Sequence, residues 1–72
     1  MAVVKFIELS GRSSESFEDA IRQTLERTSS TIRNIQSVRV KEFEGVVENN
    51  QVTQFQVIVK VSFLVGEGGS AG

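Results

Sequence analysis

Fourteen consecutive residues, Val52 to Val65 (VTQFQVIVKVSFLV), contain no Gly, Pro or Asn. Val, Ile, Thr and Phe dominate them, a composition suited to a pleated and half-buried backbone. Thr53, Phe55, Val57, Val59, Val61, Phe63 and Val65 alternate with Val52, Gln54, Gln56, Ile58, Lys60, Ser62 and Leu64. The first set is apolar apart from Thr53, and a period of two marks a strand with one buried face. Fully extended, such a strand reaches roughly 45 Å at about 3.3 Å per residue. A small domain is only about 30 Å across, so part of this strand is expected to make contacts outside its own subunit.

The chain has 72 residues, enough for a single domain, placed at residues 1–65 with a flexible tail at 66–72. A chain this short buries only about 60% of its unfolded surface, and the usual remedies are disulfides, a metal or oligomerisation. With no Cys and no His, disulfides, thiolate metal sites and the commonest zinc ligand and general base are excluded. Self-association is the remedy left. Eight basic and nine acidic residues give a formal charge of −1, without the clustered positive field that nucleic acid or an anionic membrane requires. No apolar run approaches the roughly 20 residues of a membrane span. Met1 to Leu9 carries Lys5 and Glu8 within its apolar run, unlike a signal peptide. A cytoplasmic location is expected.

In chain order, Val3 to Leu9 (VVKFIEL) reads as a strand with apolar groups on both faces. Ser10 to Ser14 reads as a loop punctuated by Gly11. A helix is predicted from Phe17 to Arg33, N-capped by Ser16, with Glu18 and Asp19 at the positive end of its dipole. Phe17, Ala20, Ile21, Thr24, Leu25, Thr28 and Ile32 form its apolar stripe, with Ile35 continuing the spacing. Thr28-Ser29-Ser30-Thr31 is poor in helix formers, and Asn34 is the predicted stop. A second strand spans Ser37 to Val46, with a bulge or strong twist between Val40 and Phe43 where the apolar side changes; Gly45 is read as part of that irregularity. Glu48-Asn49-Asn50-Gln51 is a hairpin turn, Asn tolerating positive φ. The predicted fold is α+β: a β-α-β-β order giving a three-stranded antiparallel sheet with one amphipathic helix on its apolar face. The other face displays Ile58 and Leu64 and calls for a partner.

No catalytic constellation is visible. Ser13, Ser14 and Ser16 have no His to activate them, and a Ser at a helix start is a cap. Glu42, Glu44 and Glu48 could hold a hard cation through oxygen, although charged groups on a strand edge also serve to block aggregation. Gly66-Glu67-Gly68-Gly69 does not precede a helix and so is not a phosphate loop. Gln54 and Gln56 can both donate and accept hydrogen bonds.

The order and spacing of VVKFIELSG, the Ser16-Phe17-Glu18-Asp19-Ala20 helix start, Ile32-Arg33-Asn34-Ile35 and Phe55 to Phe63 resemble the dodecins, small flavin-binding proteins of bacteria and archaea. The resemblance covers Val3 to Val65. It implies the β-α-β-β unit with its sheet wrapped around the helix, and a hollow homododecameric shell that stores or sequesters flavin (riboflavin, FMN or FAD) without catalysis. In the family each flavin ring stacks on a Trp, a Gln bonds the ring edge, and a basic residue near the second-strand Gly can reach a ligand phosphate. Gln56 matches the family Gln. Ser37 stands where the Trp is expected, Glu44 where many members carry Arg, and Val46 and Gln54 at positions often polar or His. The chain contains no Trp. Losing the ring forfeits stacking of about 0.5–1.5 kcal/mol beyond buried area, and Glu44 repels phosphate. The resemblance therefore implies the fold together with weak flavin binding. The alternatives are a flavin-free structural shell and a cation-binding one.

Overall fold

The computed structural model describes residues 2–65; the expected tail at 66–72 lies outside the described residues. The chain runs β1 (Val4–Ser13), α1 (Phe17–Ser29), β2 (Ile35–Glu48) and β3 (Gln51–Leu64). The sheet order is β1-β3-β2 and both pairings are antiparallel. The apolar alternation of β3 thus belongs to the central strand. Val57, Val59 and Val61 are completely buried with Ala20 of the helix. Ile7, Leu9, Phe17, Ile21, Val38 and Val40 close around them. Leu25, expected on the same stripe, is half-buried. Thr53 and Val65, at the two ends of the alternating run, are exposed. A 13-residue helix is about 20 Å long at about 1.5 Å per residue, whereas the molecule extends 51 Å along its major axis. The ends of the ribbon lie beyond the helix's reach.

β1, α1 and β2 differ from their expected bounds. β1 continues through the predicted loop, pairing Ser10 with Ile58, Gly11 with Val57, Arg12 with Gln56 and Ser13 with Phe55. The free backbone groups of β3 need partners, and that requirement outweighs the low strand propensity of Gly and Ser. Gly11 is also dictated by the helix: a Cβ there would lie 1.7 Å from Thr24 Oγ1. The helix stops at Ser29 rather than Arg33. Ser29, Ser30 and Thr31 turn their hydroxyls back onto the carbonyls of Glu26, Arg27 and Thr28, the local competition that makes such residues poor helix formers. Asn34 does not cap the helix; at φ 63° it turns the chain into β2, and its carbonyl accepts from Leu64 N–H at 3.1 Å. Ile35 consequently starts β2, which runs to Glu48 rather than Val46.

The predicted bulge is present. The register shifts between Val40 and Glu42, leaving Lys41 without a directly opposed residue and placing Phe43 on the helix side with Val38 and Val40. Gly45 is not part of it and pairs in register with Phe55. The turn uses Asn49 and Asn50 at φ 53° and 63°, the left-handed pair that matches hairpin twist.

The Ser16 hydroxyl accepts from Asp19 N–H at 2.9 Å, as an N-cap should. Asp19 does more than offset the dipole. Its buried carboxylate accepts from the Ser13 hydroxyl at 2.6 Å and Gln23 Nε2 at 2.5 Å, and it pairs with Arg22. The Ser13 oxygen in turn accepts from Glu15 N–H at 2.9 Å and Ser16 N–H at 3.4 Å. This network ties the end of β1 to the start of the helix. The Ser13 hydrogen bond, helped by Gln23 and Arg22 and opposed by burial, holds the Asp19 carboxyl below the ordinary aspartate range.

Two outcomes follow. Gly11→Ala forces a methyl into the space of Thr24 and should lower stability by about 1–3 kcal/mol, the cost of overpacking, read as a lower melting temperature at fixed protein concentration. A depressed carboxyl contributes stability that is present above the unfolded value of about 4 and is lost as pH falls through the lowered folded value. Asp19→Asn should therefore melt lower than wild type at neutral pH and lose less on acidification below pH 4; parallel acid profiles would show that Asp19 carries no such linkage.

Candidate functional site

Directly opposed residues share a sheet face. With Val57, Val59 and Val61 turned to the helix, Gln54, Gln56, Ile58, Lys60 and Ser62 stand on the open face. Gln56, Glu44, Val46 and Ser37 all fall there. The register aligns Arg12, Gln56 and Glu44 in one row across the three strands. Arg12 Nε donates to Gln56 Oε1 at 2.5 Å, and Gln56 Nε2 donates to Glu44 Oε1 at 3.0 Å. Arg12 Nη1 also reaches Gln54 Oε1 at 3.4 Å, and Gln54 pairs with the half-buried Val46 in the neighbouring row. The structure thus gathers Gln56, Glu44 and Val46.

Ser37 is not among them within one copy. It opposes Ser62 with the hydroxyl oxygens 2.5 Å apart. Ser62 and Gln56 are six residues apart along β3, which is about 20 Å at about 3.3 Å per residue. Phe6 completes the Ser37 row through Ser62. Its ring is 58% exposed and carries the Lys60 ammonium 5.1 Å from its centroid, a cation–π contact.

Between the two regions, Lys41 reaches across β3 to pair with Glu8. Their hydrogen bond and charge attraction lower the Glu8 carboxyl and raise the Lys41 ammonium relative to their ordinary values. At the helix side, Phe17 meets Phe43 and Phe55 edge-on, both with centroids 5.1 Å away. Phe43 nevertheless remains 61% exposed.

The Arg12 contact was missed in the sequence because Gly11 and three nearby serines read as loop. The signal that could have found it is the continued alternation Val4, Phe6, Glu8, Ser10, Arg12. Among the described residues no three carboxylates gather to hold a metal ion, and no helix is long and apolar enough to cross a membrane.

A family model described as Dodecin matches residues 3–66. A dodecin of Thermus thermophilus is 37% identical over 65 residues, covering 90% of this chain and 94% of that protein. Among solved structures, dodecin from Streptomyces davaonensis superposes with a TM-score of 0.86 at 30% identity, covering 92% of this chain and 97% of that one. Calcium dodecin from Mycobacterium tuberculosis, described as a calcium-chelating antigen with a calcium-binding site, gives 0.79 at 25% identity, covering 96% and 99%.

Proposed function

This chain belongs to the dodecin family, and from that premise we propose that it binds a flavin-type ligand, weakly and without chemistry, as a shell of identical copies in the cytoplasm. The observation that carries the ligand reading is Gln56. It stands on the open face, held between Arg12 and Glu44, with polar capacity left to meet a heterocycle edge. Ser37 is the counter-feature. A hydroxyl supplies no stacking platform, so the polar edge of a flavin site is furnished and its aromatic wall is missing. No step of proton transfer or group transfer is assigned, since the chain has no His or Cys.

Assembly is supported by surface the single copy leaves uncovered. Phe6 and Phe43 are exposed, and so are Val47 and Val52 at the hairpin end. Light scattering at micromolar concentration should give about twelve times the monomer mass, and dilution should shift mass and melting temperature together; a folded monomer on dilution would overturn it.

Riboflavin titration by fluorescence quenching tests the ligand reading. The unaltered protein should bind in the high-micromolar range or weaker. Ser37→Trp should gain roughly 1–3 kcal/mol, by analogy with base stacking on aromatic side chains. That is about five- to a hundredfold in affinity. Nanomolar binding by the unaltered protein would show that the missing ring does not matter. No gain from Ser37→Trp would favour the flavin-free structural shell. Calcium binding is the reading of one relative; here Glu44 is engaged with Gln56, and it is not the reading favoured.

A further inference from the structure

Resting on the flavin reading, we infer that Arg12 is a positioning residue that locks the Gln56 amide in one orientation and completes a three-point edge for a cyclic imide. The argument starts from charge order. A guanidinium has only donors and a carboxylate only acceptors. With Arg12 on the β1 side of Gln56 and Glu44 on the β2 side, only one setting of the amide satisfies both: oxygen towards β1, nitrogen towards β2. The reverse would face N–H groups at a cation and a carbonyl at an anion. The contacts agree, at 2.5 Å from Arg12 Nε to Oε1 and 3.0 Å from Nε2 to Glu44.

The polarity presented to a ligand is thereby set. A carbonyl oxygen has two lone pairs, an amide nitrogen two N–H groups and a guanidinium five. Each of these three groups keeps capacity after its protein contacts are made. From β1 to β2 the row reads donor (Arg12), acceptor (Gln56 Oε1), donor (Gln56 Nε2). Its complement is acceptor, donor, acceptor, which is the C=O, N–H, C=O edge of a cyclic imide such as the pyrimidinedione of flavin. An edge bearing an alkylated nitrogen, or an amino group in place of a carbonyl, mismatches it.

Two measurements separate this inference from the flavin reading it rests on. The first needs no ligand: the side-chain amide of Gln56 is followed by NMR in the intact protein, with exposed Gln51 as the internal reference. Its two amide protons should be well separated in wild type, collapse towards the Gln51 values in Arg12→Ala and be largely recovered in Arg12→Lys, which keeps the cation. A Gln56 pair that already coincides with Gln51, or that ignores Arg12→Ala, overturns the lock. The second compares riboflavin with 3-methylriboflavin by fluorescence quenching in the Ser37→Trp background. Riboflavin should bind about 2- to 10-fold more tightly, the usual worth of one hydrogen bond, and Arg12→Ala should weaken riboflavin by a similar factor. Equal affinity for the two flavins, or indifference to Arg12→Ala, overturns the imide edge. Absence of riboflavin binding by all variants removes the flavin reading and the imide assignment together, while the NMR arm still decides whether Arg12 locks the amide.

Discussion

Strand β3 is hydrogen-bonded along both edges, to β1 over Val4–Ser13 and to β2 over Ile35–Glu48. Every other feature is subordinate to that double ladder. Because β3 alternates from Gln54 to Leu64, Val57, Val59 and Val61 meet the helix while Gln54, Gln56, Lys60 and Ser62 line the open face, and the neighbouring strands inherit the same division through their register. A slip of one residue would turn Val57, Val59 and Val61 outward and Gln56 inward. The bulge at Lys41 is the local adjustment that keeps β2 in phase: without it Phe43 would leave the helix side and Glu44 would leave the row of Gln56.

The second determinant is a mismatch of lengths. A strand advances about twice as far per residue as a helix, so a 13-residue helix cannot cover 14-residue strands. The covered part is a core of four fully buried residues, small even for a domain of this size. The uncovered part is where large apolar side chains remain exposed, the area that the proposed assembly would use. The open face is polar in its Gln56 row and apolar around Phe6 and Leu64, so one surface combines a candidate ligand edge with area suited to contact.

Features that depend on local pattern were legible in the sequence. The alternation of β3, the Ser16 cap, the paired Asn turn and the side change between Val40 and Phe43 all act within a few residues of themselves. The extension of β1 through Gly11 to Ser13 was not legible, because it is imposed by a strand more than forty residues away in sequence. Arg12 was lost with it: the alternation from Val4 carries on to Arg12, but what a charged residue does there is set by cross-strand neighbours that local pattern does not name. Gln56 and Glu44 could be named from family resemblance, but their mutual hydrogen bond depends on register across a bulge. The helix end was half legible. The run of hydroxyl residues announced weakness, yet where the weakness takes effect depends on which hydroxyls fold back onto carbonyls.

The strand order also sets the sequence of events in making the protein. β2 and β3 are joined by a two-residue turn and can pair as soon as both exist. β1 is made first but finds its partner last: Val4 lies opposite Leu64, sixty residues along the chain. Closing so long a loop costs entropy before any contact repays it, and non-local pairings of this kind slow folding. On the ribosome the first strand must wait, its Val and Phe side chains in water, until β3 has emerged. Lys5 and Glu8, set among those apolar residues, keep the waiting segment charged and so guard it against premature association.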